Sequence, residues 1–355
     1  MTVNSTHPFI RACFRQPVMR TPVWILRQTG RYLPPYRNIR NEHSIFKMYK
    51  TPELTSELTL MPLQHLDVDA ALLFTDQLAI PEAMGMQLKL AKGKWPVFVD
   101  PLKNEYQIHK LRPLEPYDSL NYVMDSVRLV QDELDERVPL IGLCGAPWSL
   151  AAYMIQGGGS QSFIKAKRWA FARPDLMHAL LEKLSEAVIR YCDAIIDVGV
   201  DAVQLNDLYV GVYDSRRFQE FVLPYVQKII SAIRRPGVPV IYQCNCVHVG
   251  IDSLLETGAD VFGLDWTVNL GQIRRQLQQR ASIQGNLDPA VLYGRSDHIR
   301  QAVQEMLADF GPGSGHIANL GYDIPPDIPF ENAKAFVEIV KEESAAFHQD
   351  DAEAS

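Results

Sequence analysis

Eight short apolar runs punctuate the chain, at 23–26, 69–74, 138–144, 201–205, 238–242, 260–264, 281–284 and 316–319. Each is too short for an ordinary helix and reads as a buried strand. Between them apolar residues recur at helical spacing. The stretch 52–66 carries Leu54, Leu58, Leu60, Leu63 and Leu66. A helix from Asp118, as its N-cap, to about 136 lines up Leu120, Met124, Val127, Val130 and Leu134. Further helices are expected at about 162–172, 174–198, 215–234, 249–257, 270–279, 295–310 and 330–347. Strand and helix in alternation give a parallel sheet, and eight repeats closing on themselves give a single (β/α)8 TIM barrel. A doubly wound open sheet is the alternative, because a strand count from sequence carries an error of one or two.

No Pro/Gly/Ser-rich linker divides the 355 residues, so one domain is expected, ordered over about 8–345 and ending in an acidic, disordered tail. Residues 86–99, with Met86, Leu88 and Leu90 alternating before Lys92-Gly93-Lys94, read as a small hairpin insertion. Gln156-Gly157-Gly158-Gly159-Ser160 reads as a mobile loop, since it lacks the partners of a phosphate-binding motif.

The first strand leads into four arginines within fourteen residues, Arg27, Arg31, Arg37 and Arg40, punctuated by Gly30 and Pro34-Pro35. A guanidinium keeps its charge, and its planar fork suits carboxylate or phosphate. A solvated basic loop is the plainer alternative. Arg27 follows four apolar residues directly, so it is expected to be buried and paired with an anion. This cluster stands out because the chain carries a net charge of −7. That balance argues against nucleic acid or a membrane surface as partner. No apolar run approaches a membrane span, and 1–10 has no signal-peptide pattern. Five scattered cysteines fit a reduced cytoplasm better than a disulfide framework. Cys244-Asn245-Cys246-Val247-His248 hints at a metal, but no second pair has zinc spacing, and none is assigned.

In a barrel of this kind the site lies at the carboxyl ends of the strands. Polar residues gather there: Arg27, Arg31, Asp76, Tyr153, Asp207, Tyr209, Gln243, Asp265, Asn286, Asp288 and Tyr322. Several have structural explanations. Asp265 and Asp288 suit helix caps, Asp288 more so before Pro289. Asp207 is open between capping and ligand contact. Asp76 follows its apolar run with only Thr75 between. A buried carboxylate there needs donors, from Arg27 or from ligand N–H groups.

The segment 22–37, Phe74-Thr75-Asp76, 139–142, 145–149, 153–159, 263–267, Gln284-Gly285-Asn286-Leu287-Asp288-Pro289 and Asn319-Leu320-Gly321 together resemble the uroporphyrinogen decarboxylase family, in order, from about 8 to 345. The resemblance implies a cofactor-free (β/α)8-barrel homodimer of the cytoplasm that removes carboxylate from the four acetate side chains of uroporphyrinogen III, giving coproporphyrinogen III on the way to haem. It implies that Asp76 holds the pyrrole N–H groups at the centre of the macrocycle, and that Arg27 donates a proton or binds carboxylate. Arg31 and Arg40 then bind substrate carboxylates, and Tyr153 bonds near the reacting acetate. Gln28, Asp207, Leu208, Tyr209 and Tyr322 are expected to complete the contacts with a polyanionic tetrapyrrole. Protonating a pyrrole carbon would make the ring its own electron sink, and the Asp76 charge would stabilise it. Neither metal nor organic cofactor is then required.

The chain departs from the family pattern at four places. Asn206 and Leu208 stand where an apolar residue and a hydroxyl are usual, and Tyr322-Asp323 replaces His-Gly. The run 322–332 is closer to related zinc-dependent corrinoid methyltransferases, yet Gln243-Cys244-Asn245 and Tyr322 stand where their zinc ligands belong. The alternatives are a paralogue acting on another anionic substrate and a tetrapyrrole-binding protein with altered catalysis.

Overall fold

A computed structural model of the chain describes residues 5–90, 96–244 and 247–348. The strands are β1 (Ala71–Leu72), β2 (Leu88–Lys89), β3 (Val97–Phe98), β4 (Leu140–Gly145), β5 (Ala202–Asp207), β6 (Val240–Cys244), β7 (Val261–Gly263), β8 (Ser282–Gln284) and β9 (His316–Ile317). Seven of them form one sheet in the order β1-β4-β5-β6-β7-β8-β9, with every pairing parallel. β2 and β3 pair separately and antiparallel, which is the expected hairpin; its tip, 91–95, lies outside the described residues.

Residues 22–26 close the circle. Trp24 N–H donates to the Ala318 carbonyl at 3.2 Å, and Ala318 N–H donates to that of Pro22 at 2.9 Å. On the other side Asp69 N–H donates to the Val23 carbonyl at 2.8 Å. The two edges of the seven-stranded sheet are thus joined through an eighth extended segment, and the barrel has no open edge. The Asp69 carboxylate reinforces the junction: it takes Val23 N–H at 2.7 Å and both Arg20 nitrogens at 2.7 Å.

Helices cover the outside. The longest, Pro174–Asp197, buries Leu180, Leu184, Val188 and Ile195 on one face. Two expected helices differ in detail. Asp118 is not an N-cap: it lies within a separate turn, Pro116–Ser119, and the long helix runs Asn121–Leu134 behind Leu120. The segment expected as one helix at 215–234 divides into Ser215–Phe221 and Leu223–Ile233. Pro224 has no N–H to return to the preceding turn, so the helix breaks at Val222.

The glycine run read as a mobile loop is a packed turn. Gly157 caps Pro147–Gln156 with φ +92, and a Cβ there would stand 2.6 Å from the Pro101 ring. A Cβ on Gly159 would stand 3.2 Å from the Tyr153 hydroxyl.

The barrel interior holds a chain of neutral amides. Trp24 Nε1–H donates to Gln284 Oε1 at 3.0 Å. Gln284 Nε2 donates to Gln204 Oε1 and Gln243 Oε1, each at 3.1 Å. Gln204 Nε2 donates on to Asn206 at 2.9 Å. A Cβ on Gly263 would fall 1.8 Å from Gln243 Oε1, so the β7 backbone must be bare where this amide crosses it.

Candidate active site

The arginine loop starts from a wall that is firmly anchored. Leu26 N–H donates to Asn319 Oδ1 at 2.7 Å, beyond the end of β9. One residue later the backbone turns into the left-handed region, φ +61 at Arg27. For a side chain other than glycine that costs about 1–3 kcal/mol, and the anchors on either side hold it. The turn swings Arg27 out of the wall: its side chain is 48% exposed, not buried as its four apolar predecessors suggest.

Arg27 does find an anion, and the anion is Asp323. Arg27 Nη1 lies 2.9 Å from Asp323 Oδ2, whose side chain is 20% exposed. The pair forms because the two segments lie side by side, with Ile324 N–H donating to the Leu26 carbonyl at 3.4 Å. Burial pushes the Asp323 carboxyl up and Arg27 pulls it down.

Asp76, beyond β1, is half-buried, and its Oδ1 accepts Leu78 N–H at 2.9 Å. Burial pushes its carboxyl above the usual range, while the Leu78 N–H and the Arg27 charge pull it back. Of the two donor sources open to Asp76, Arg27 acts on it through its field and pairs instead with Asp323. A narrow space of about 10 Å³ adjoins Asp76 near Tyr49, Lys50 and Glu82, room for one water.

Three phenols stand opposite. Tyr153 comes from Pro147–Gln156, Tyr209 follows β5, and Tyr322 follows β9. The Tyr153 and Tyr209 rings lie 5.8 Å apart, Phe163 packs on Tyr209 at 4.6 Å, and Trp266 meets Tyr322 edge-on at 6.3 Å. Burial raises all three phenols, so they are neutral hydrogen-bonding groups at neutral pH. The charges of Arg27, Asp76 and Asp323 reach this group. Arg31 is exposed and Arg40 half-buried on the same rim, where with Arg27 they pull down the phenol of Tyr36 against its burial. Arg40 Nη1 donates to the His43 carbonyl at 3.0 Å.

Two expected contacts are not at this mouth. Gln28 is 1% exposed, and its Nε2 donates to the Ala70 carbonyl at 3.2 Å, inside the wall. The chain leaves the extended path at Arg27, φ +61, so Arg27 and Gln28 do not share a direction. Asp207 is 0% exposed. It accepts Ser149 Oγ–H at 2.6 Å and Tyr242 Oη–H at 2.8 Å. Burial raises its carboxyl to about 6 despite both donors. Leu208 is only partly buried. Gln243 belongs to the interior amide chain. Asp288 caps its turn through Ala290 N–H at 2.8 Å, as expected. Asp265 instead bonds Thr267 N–H at 2.8 Å, and Asn269 caps the helix that follows. Ser149 and Tyr242 carried no assigned role in the sequence; Ser149 lies inside one of the recognised motifs, which was the available signal.

His248 Nε2 lies 2.7 Å from the Tyr213 carbonyl oxygen, and residues 245–246 lie outside the described residues. Among the described residues no three His, Cys, Asp or Glu side chains gather as a metal site, and no helix is long and apolar enough to cross a membrane.

A closed parallel barrel with charged and phenolic groups at the carboxyl ends of its strands defines a (β/α)8-barrel enzyme. The family model for uroporphyrinogen decarboxylase matches residues 4–343. A uroporphyrinogen decarboxylase of Alkalilimnicola ehrlichii is 43% identical over 100% of this chain and 99% of its own length. That of Methylococcus capsulatus is also 43% identical, over 97% and 99%. The chain belongs to the uroporphyrinogen decarboxylase family. A methyltransferase from Methanosarcina mazei superposes with a TM-score of 0.81 at 20% identity, covering 94% of this chain and 97% of that one. It shares the fold.

Proposed function

We propose that the protein decarboxylates the four acetate side chains of uroporphyrinogen III, giving coproporphyrinogen III in tetrapyrrole biosynthesis. The observation that carries this is one mouth holding Arg27, Asp76, Tyr153, Tyr209 and Tyr322 in a chain of that family. A half-buried carboxylate beside a basic rim suits a ring that is polyanionic outside and rich in N–H groups inside. Asp76 faces those N–H groups; Arg27, Arg31 and Arg40 hold the carboxylates; Tyr153 stands by the reacting acetate. A proton added to a pyrrole carbon makes the ring cationic. The bond to the carboxylate then breaks, CO2 leaves, and its electron pair flows into the ring. A proton reaching the freed methylene gives a methyl group, and loss of the ring proton restores the pyrrole. The net cost is one proton per CO2. Asp76 lowers the barrier because its negative charge is already in place when the positive charge appears.

The barrel is read as the whole catalytic domain, acting as a cytoplasmic homodimer. Four buried free cysteines, Cys13, Cys144, Cys192 and Cys244, support a reducing compartment. Incubation with uroporphyrinogen under reducing conditions, with products separated by carboxylate number, tests the assignment. Accumulation of the tetracarboxylate without additives supports it. Binding without product points to a carrier, and neither binding nor product to another anionic substrate.

A further inference from the structure

Asp323 faces Arg27 directly, at 2.9 Å, with both side chains still open to water. Among the described residues it has no second cationic partner. Both residues sit on tied-down backbone. Asn319 Oδ1 accepts Leu26 N–H and Leu320 N–H, each at 2.7 Å, and Gly321 N–H donates to the Leu287 carbonyl at 2.8 Å. The side chains can part while the strands stay in place. Asp323 thus occupies, from within the chain, the place beside Arg27 that an external carboxylate would take.

We propose that Asp323 is an internal stand-in for a substrate carboxylate, holding Arg27 until a polyanion displaces it. This rests on the tetrapyrrole assignment above for the natural ligand, though not for the exchange itself. A tethered carboxylate competes at an effective concentration of about millimolar or above. A free monocarboxylate meets that competition unaided. A ring already held by Arg31 and Arg40 delivers its next carboxylate at a comparable effective concentration, and displaces Asp323. The ion pair therefore selects for ligands that bear several carboxylates on one rigid frame. It also keeps Arg27 extended toward the mouth when no ligand is bound.

The test uses the full chain, Asp323→Asn and Arg27→Ala/Asp323→Asn, with Arg27→Ala as reference. Affinity is read with two polycarboxylates, uroporphyrin and mellitate, by fluorescence and calorimetry. Because Arg27 is half-exposed, Asp323→Asn is expected to tighten both by about three- to tenfold. KM for uroporphyrinogen should fall in step, with kcat little changed. In the Arg27→Ala background the same substitution should change affinity less than about twofold, the residue of long-range charge. Unchanged or weaker binding in Asp323→Asn, or an equal gain with and without Arg27, overturns the proposal. Mellitate decides the exchange even if uroporphyrinogen is not turned over, so a failed decarboxylase assignment is seen separately, in the wild-type turnover assay.

Discussion

The ends of β1 and β5 each present an aspartate, and the two live in opposite surroundings. Asp76 is half-buried, held by one backbone N–H, and lies in the field of Arg27. Asp207 is sealed, with one hydroxyl on each oxygen. On the same elements, next to Ser149, Trp148 packs on Tyr213 at 4.2 Å and donates to the Tyr209 carbonyl at 3.2 Å. Position at a strand end does not make a carboxylate available for chemistry. What is packed over it decides. Asp207 is bound into the wall through Ser149 and Tyr242, whereas Asp76 stays half-buried with one backbone donor.

The sharpest way to break this contrast is substitution of both. Asp76→Asn should lower kcat by about 10²–10³-fold, the loss of one preorganised electrostatic group, with the urea midpoint nearly unchanged. If Asp207→Asn lost as much turnover at equal stability, the contrast would be wrong. Asp207→Ala leaves the hydroxyls of Ser149 and Tyr242 buried without their acceptor. It should cost about 2–4 kcal/mol in urea unfolding, with a far smaller effect on kcat than Asp76→Asn.

A pH series separates them further. The Asp207 carboxyl is raised to about 6 in the fold from an ordinary 3.8, so the neutral form is the favoured one there. Its contribution is fully present below about 3.8 and is lost as pH rises through 6, by up to about 3 kcal/mol. His316 runs the other way. Buried against Phe310 and bonded to the Gly285 carbonyl at 2.8 Å, it is lowered to about 4 from 6.5. Its contribution is present above 6.5 and is lost as pH falls toward 4. The two partly cancel between pH 4 and 6.5. The wild-type stability curve minus that of Asp207→Asn should therefore fall with rising pH across that window. A flat difference would show that Asp207 is not held as described. The smallest effect is expected for Tyr242→Phe, which removes one of the two donors. About 1–2 kcal/mol of stability should go, and the Asp207 carboxyl should move higher still.

Much of the fold was readable in the chain. Seven of the eight apolar runs are ladder strands, and the first, at 23–26, closes the barrel through two backbone bonds to Ala318 on one side, one of them taken by Pro22, and one from Asp69 on the other. Elements failed where a local rule was overridden. Val222 breaks a helix because of Pro224, and Asp118 lost its capping role to a separate short turn. Of the site, Asp76, Arg27, Tyr153, Tyr209 and Tyr322 do gather at one mouth. Gln28 and Asp207 do not, because their directions depend on a left-handed turn at Arg27 and on packing that no spacing records.

Alternation of short apolar runs with helical stretches determined a parallel α/β fold and pointed to a barrel; the closing bonds of 22–24 to Ala318 and Asp69 excluded the open sheet. The residue types at the strand ends determined that its mouth would carry charge. Only the tertiary structure decided the pairing. Arg27 meets Asp323 because the first and last barrel strands are neighbours and a left-handed turn aims the guanidinium outward. Coulomb attraction depends on distance in space, and nothing in the order of residues measures that distance.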